Sequence, residues 1–220
     1  MKKIIIIALL LITSFMSAQT GMDSIMFNEI NRLRANPKSY IPLIKEYIEL
    51  NERTLKSIKE GKHRVTGISG EMTTRNGIKN KKMSSGSDVI VRNIHAAKEL
   101  IIELNKIKKL EPLIFDTSMD SITDSHGEYL DSVNAHGHFG PNGQTLSERF
   151  KNFRLYNISE NVSSVGSFVY TTKDVKPILV SLLVDGGIPN RGHRKNLLNP
   201  KSKYVAIYMS RNTCVQNFGY

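Results

Sequence analysis

Residues 185–200 read DGGIPNRGHRKNLLNP and lie between an apolar run, residues 175–184, and the chain's C-terminal segment. A stretch this rich in Gly, Pro and Asn reverses the chain direction. It presents His193 beside Arg191 and Arg194. A histidine in such a turn titrates near neutral pH, ligates metal or hydrogen-bonds neighbouring backbone, and the sequence around it decides among these.

Just before the turn, Asp174 and Pro177 open a helix through Ile178, Leu179, Leu182 and Leu183. It is apolar nearly all round and must therefore be buried. Asp185-Gly186-Gly187 ends it. After the turn, residues 204–210 and 213–219 are two β-rich runs around Arg211-Asn212, a hairpin pattern. Cys214 sits in the hairpin as a small apolar residue.

Further upstream, residues 158–165 hold Glu160 between β-formers, placing the carboxylate on a strand or its edge. There it can hold a histidine tautomer, act as a base toward water, or remain a surface glutamate. Residues 135–143 read AHGHFGPNG. His136 and His138 have a spacing that can chelate metal from a strand, yet the glycines argue for a loop presenting imidazole to a cavity. Thr145 and Glu148 make a capping box for a short helix over 146–153.

Asp116 is a fitting N-cap for a helix that places Asp120, Asp124 and Glu128 on one side and Met119, Ile122, His126 and Tyr129 on the other. The acidic side reads as a solvated face and His126 as an inward residue, in the core or lining a cleft. Earlier, Ile90, Ile94, Ala97, Ile101 and Leu104 mark an amphipathic helix of about twenty residues, with a capping-box spacing at Ser85 and Asp88. Met22, Met26, Ile30 and Leu33 mark a first helix over 21–35 that Asn36-Pro37 stops, and an apolar cluster over 40–50 restarts helical structure. Residues 52–88, rich in Lys, Arg and Gly and poor in apolar periodicity, read as a long exposed basic loop or insertion.

Residues 1–18 have the cationic start, apolar run and small-residue end of a secretory signal peptide, with cleavage expected after Ala18. The remaining chain, residues 19–220, is long enough for one domain with a substantial core. The single cysteine, Cys214, forbids an intrachain disulfide, which suits a bacterial secreted or periplasmic protein whose core stands alone. The chain carries a formal net charge of +11, and +9 without Lys2 and Lys3. A basic surface outside the cytoplasm favours anionic partners such as phospholipid head groups, cell-wall polymers or acidic glycans. Nucleic acid is the weaker reading, and no nucleic-acid partner is expected, because the cations are not interleaved with stacking aromatics and there is no Trp. The expected product is a monomer that touches a membrane surface or an anionic envelope ligand.

Several of these motifs occur together in a familiar order. Asn31-Arg-Leu-Arg-Ala-Asn-Pro37, the His126 helix, His138-Phe-Gly-Pro-Asn-Gly143, Glu160-Asn-Val162, Arg191-Gly-His-Arg-Lys-Asn-Leu197 and the closing hairpin resemble the bacterial branch of the CAP superfamily. That superfamily comprises the cysteine-rich secretory proteins, antigen 5 and the plant pathogenesis-related proteins. The resemblance spans nearly the whole chain after residue 18 except 52–88, and it implies an α+β fold: an α-β-α sandwich with a small, mostly antiparallel sheet between helical layers. It also implies a cleft with two histidines and two acids, which map to His138, Glu160, His193 and Asp185. The chain has neither the family's disulfides nor a tryptophan.

Two functions follow from this reading. One is a binding module that takes a lipid, sterol or cell-envelope ligand and needs no cofactor. The other is a hydrolase of esters or peptides in the same cleft, with His138 and His193 holding a divalent ion such as zinc, or with Glu160 and a histidine activating water directly. No serine or cysteine motif for a nucleophile stands out.

Overall fold

The computed structural model describes residues 21–62, 69–82, 86–154 and 157–220. The signal-peptide reading of residues 1–18 and the Ser85 cap lie outside them. Helix α1, Met22–Ala35, buries Met22, Met26, Ile30 and Leu33 along one stripe and stops at Asn36-Pro37 as predicted. Helix α2, Ile41–Lys59, has proline in its first turn and buries Ile44 and Ile48. It continues well beyond residue 50 because Leu55 and Ile58 extend the same stripe and pack on the core.

The segment read as a basic loop is thus largely structured. After the last turns of α2 it forms a hairpin of β1, Ser69–Thr74, and β2, Gly77–Lys82. Its register pairs Thr74 with Gly77 and Ser69 with Lys82. Gly77 sits at φ +104°, a conformation L side chains rarely adopt. Asn76-Gly77 was the readable hairpin signal in this segment, obscured by lysines where apolar residues usually alternate.

Helix α3, Gly86–Lys106, buries Ile90, Ile94, Ala97, Leu100 and Leu104 and packs against α2 and α7. A short strand β3, Ile114–Phe115, precedes α4, Thr117–Ser132. Asp116 caps α4, its Oδ1 accepting from the amides of Ser118 at 2.8 Å and Met119 at 3.2 Å. Thr145 and Glu148 form the predicted capping box of α5, which is only Leu146–Arg149. Then follow β4, Ile158–Ser164; α6, Ser167–Thr172; α7, Lys176–Val184; α8, Gly192–Leu197; β5, Tyr204–Met209; and β6, Thr213–Gly219.

The main sheet has the order β3-β5-β6-β4, with β3–β5 parallel and the other pairings antiparallel. Alternate residues of β6 face opposite layers. Cys214 and Phe218 join the large core built with α1, α2, α3 and α7, while Asn217 reaches Thr123 of α4 at 2.9 Å. The fold is α+β, a mostly antiparallel sheet between helical layers.

Two arginines hold the layers together from inside. Arg34, fully buried, donates to the carbonyls of Glu111, Leu197, Asn199 and Ser202 at 2.8–3.3 Å. Burial lowers its pKa only to about 10, so it stays charged. Asn31, one turn earlier, exchanges hydrogen bonds with the backbone of Leu113 at 3.1 and 2.8 Å. The NRLRANP run is therefore a structural clamp tying α1 to the approach to β3 and the exit of α8.

Candidate functional site

Helix α7 ends where Asp185 adopts a left-handed conformation, φ 52°. The reversal turns its carboxylate toward the start of α8. Oδ2 of Asp185 accepts from the His193 amide at 2.9 Å, and Oδ1 lies 3.0 Å from Nδ1 of the same histidine. The predicted turn thus closes on a short helix, and His193 is oriented by the acid eight residues before it.

Arg194 secures this arrangement from below. It is 1% exposed and donates to the carbonyls of Leu183, Val184 and Ala96 and to the carboxylates of Glu99 and Glu103. One guanidinium thereby joins α8, α7 and α3. Gly186 is required by contact, since a Cβ there would lie 2.1 Å from Oδ1 of Asn93. His193 and Asp185 line a cleft of about 170 Å3 together with Tyr47, Asn93 and Ser163. That is below the ~300–1,000 Å3 usual for ligand pockets, so it admits a small group rather than a whole lipid.

A second histidine–acid pair forms at the free edge of the sheet. Glu160 on β4 is buried, and its Oε1 lies 3.0 Å from Nδ1 of His138. Its Oε2 accepts from Nη2 of Arg149 at 2.6 Å. Arg149 also donates to the His138 carbonyl at 2.9 Å, gripping loop and strand at once. Burial opposes ionisation of Glu160, but the His138 hydrogen bond and the Arg149 charge outweigh it and hold the carboxyl below its usual range. The His138 side chain is 52% exposed and, with Nδ1 engaged, turns Nε2 to solvent.

His126 stands behind this pair. It is 1% exposed, its Nε2 is 3.1 Å from the Gly137 carbonyl and 3.8 Å from Glu160 Oε1. Burial pushes its pKa down to about 4, so the ring is neutral at pH 7. The inward reading of this residue holds: it is a core histidine that also supports the site. His136 turns the other way, its Nε2 3.1 Å from Oγ of Ser164, a serine–histidine contact that the sequence reading missed.

The two pairs are linked through β4 and α8. Asn196 donates to the Glu160 carbonyl at 3.3 Å and to Oδ1 of Asn161 at 2.8 Å, while Asn161 donates to the His193 carbonyl at 3.4 Å. Glu160 and Asn161 are consecutive on a strand, so their side chains leave on opposite faces. Among the described residues, no three His, Cys, Asp or Glu side chains are grouped to hold one ion. His138 and His193 each commit Nδ1 to a different carboxylate, which orients each ring and leaves its Nε2 as the nitrogen for a ligand. Asn161 and Asn196 stand inside the quoted motifs but were given no role from sequence, and Arg149 was not singled out; the partners of all three are remote in the chain.

The segment read as a basic insertion builds part of the site. Thr73 of β1 donates its amide to the His136 carbonyl at 2.7 Å, and its Oγ1 accepts from the Phe139 amide at 3.2 Å. Gly137, at φ +135°, leaves room for this contact: a Cβ would sit 2.5 Å from Thr73 Oγ1. The hairpin is thus the outer buttress of the His138 loop.

The family model of the cysteine-rich secretory proteins, CAP, matches residues 27–219. No curated protein sequence matches the chain significantly. Among solved structures, the chain is similar to an extracellular protein containing an SCP domain from Bacillus anthracis, with 18% identity and a TM-score of 0.42 over 66% of this chain and 47% of that one. It is also similar to a cysteine-rich secretory protein from Staphylococcus aureus, with 18% identity and a TM-score of 0.37 over 64% of this chain and 42% of that one. The chain therefore spans less than half the length of either structure. The match to the family model covers nearly the entire described sequence, and the chain belongs to the cysteine-rich secretory protein (CAP) family.

Proposed function

We propose that the protein is a secreted, extracellular binding module that recognises the polar end of a cell-envelope ligand, such as an anionic lipid head group, at its two histidine–acid pairs. The observation that carries this reading is the commitment of the acids. Each carboxylate oxygen of Glu160 and of Asp185 already has a protein partner within 3.0 Å, so neither acid is presented as a base, and each serves to fix an imidazole. A fixed, accessible imidazole is a hydrogen-bonding group for a ligand. The small cleft at His193 and the positive charge of the chain suit a compact anionic group attached to a larger molecule outside the fold. The signal-peptide pattern of residues 1–18 supports a ligand met outside the cytoplasm.

Native mass spectrometry with solvent extraction of the purified protein, and cosedimentation with phosphatidylglycerol vesicles at low salt, test the reading. A retained ligand, or vesicle binding that weakens in the His193→Ala and His138→Ala variants, supports it. An empty protein that ignores vesicles at low salt ends it.

A hydrolase is the second reading, and two contacts favour it. His138 with Nδ1 on Glu160 leaves Nε2 as a base toward water, and Ser164 Oγ lies 3.1 Å from His136 Nε2. Cys214 is no candidate nucleophile, because burial pushes its thiol up to about 12. Ester hydrolysis that survives in His138→Ala and Ser164→Ala would remove both contacts from consideration.

A further inference from the structure

We infer that the tip of the β1–β2 hairpin and the turn at Pro141–Gly143 form a separate binding site for an acidic, hydroxyl-rich glycan of the uronic-acid type. The two walls line an open cleft of about 620 Å3, inside the range of ligand pockets. At about 30 Å3 per water in the liquid, that is on the order of twenty waters, far more than one small anion fills.

The cavity is built on backbone contacts. Gly143 approaches the hairpin so closely that a Cβ would lie 2.0 Å from the Arg75 carbonyl, and its φ of +75° suits only glycine well. Gly140 and Gln144 close the turn, the Gly140 amide donating to the Gln144 carbonyl at 2.8 Å. Thr73, two residues before the tip, is hydrogen-bonded to the His138 loop on both sides. The walls are therefore preformed, which reduces the ordering cost of binding.

The lining is polar and unspent. Arg75, Asn76, Asn142, Gln144 and Lys151 are exposed and face the cavity. Among the described residues, the three amides have no side-chain hydrogen bond to the protein; Arg75 lies 3.8 Å from Glu148 Oε1, beyond hydrogen-bond reach, and Arg75 and Lys151 act on that carboxylate through charge alone, so their N–H donors stay open. Two cations suit a carboxylate, and three amides, each donor and acceptor, suit neighbouring hydroxyls. Glu148 selects further. Its Oε2 is held by the Thr145 cap, leaving Oε1 to accept from a hydroxyl and to repel a dense phosphate chain. The lining therefore points to a sugar acid rather than to polyphosphate.

This site stands whether or not the histidine pairs bind an envelope lipid, because it shares no side chain with them. The test is calorimetric titration of the full chain with an alginate tetrasaccharide at low salt, alongside neutral maltotetraose and linear polyphosphate. Alginate binding that falls about tenfold or more in Arg75→Ala/Lys151→Ala, with loss of two charge-assisted hydrogen bonds, and is retained in His138→Ala, supports the site. Equal binding of alginate by the double variant, or binding of maltotetraose or polyphosphate as tight as that of alginate, overturns it. Exposed Arg75 and Lys151 tolerate alanine, and an unchanged thermal midpoint verifies that the variant is folded.

Discussion

Oε1 of Glu160 lies 3.0 Å from Nδ1 of His138, so the most buried acid of the site orients its most exposed histidine. The same carboxylate neutralises Arg149, whose side chain is 5% exposed. Replacing Glu160 by Gln leaves that guanidinium uncompensated in a buried place, which costs about 3–5 kcal/mol. Urea denaturation at pH 7 should show a loss of this size, with Arg149→Met/Glu160→Gln recovering part of it. A Glu160→Gln variant as stable as the parent would mean that the pair is solvated and does not hold the loop.

The pH dependence of stability follows from His126. Its folded pKa is lowered by burial from 6.5 to about 4, so the unfolded chain binds the proton first. Stability from the neutral ring is complete above pH 6.5 and is lost as pH falls toward 4, amounting to roughly 3 kcal/mol over that window. Glu160, also lowered in the fold, adds a loss in the same direction, beginning below its ordinary value of 4.5. His126→Gln, which keeps a donor for the Gly137 carbonyl, should flatten the profile between pH 6.5 and 4. Parallel profiles for the two proteins would exclude His126 as the titrating group.

Arg194 is predicted to matter for stability more than its neighbour His193. Arg194→Met removes the donors of three buried carbonyls, those of Leu183, Val184 and Ala96. At about 1 kcal/mol per lost hydrogen bond, the expected cost is roughly 3 kcal/mol. His193→Ala should cost less, because the ring retains some exposure. Urea midpoints for the two variants in the opposite order would contradict the assignment.

Regular periodicity makes the helices legible: the stripes of α1 and α3, the all-apolar α7 and the caps at Asp116 and Thr145 are all readable in the sequence. The pairing of His193 with Asp185 was within reach too, since a helix end and a turn eight residues apart must meet. The end of α2 is not, and the β1–β2 hairpin shows only its Asn76-Gly77 turn, because their apolar residues are diluted by lysine and their packing partners lie elsewhere. Nothing local in the sequence marks Arg34 and Arg194 as buried. Only the carbonyls that converge on them, from segments as far away as Ser202 and Ala96, reveal them as core residues.

The acidic face of α4 is less solvated than its pattern suggests. Burial, then Asp124 and Asp23, raise the Asp120 pKa from 3.8 to about 6, and its Oδ1 is buried without a hydrogen-bond partner. A raised folded pKa means the favourable contribution is complete below pH 3.8 and lost as pH rises through 6. Asp120→Asn should therefore raise the thermal midpoint at pH 7 and lose that advantage at pH 4. An equal effect at the two pH values would point to packing rather than charge.

Thr73 connects the inserted hairpin to the site, and its hydroxyl and backbone roles can be separated. Thr73→Val keeps the shape and the amide bond to the His136 carbonyl but removes Oγ1 as acceptor for the Phe139 amide. The loss is about 1 kcal/mol, so hydrogen exchange at the Phe139 amide should quicken about fivefold while exchange in the β5–β6 core is unchanged. Gly137→Ala attacks the same contact sterically, at φ +135° and with Cβ 2.5 Å from Thr73 Oγ1, and should displace the hairpin outright. If Phe139 exchanges at the parental rate in Thr73→Val, the Thr73 hydroxyl does not fix the His138 loop, and the coupling between insertion and site rests on the Thr73–His136 backbone bond and the packing of Gly143 on Arg75.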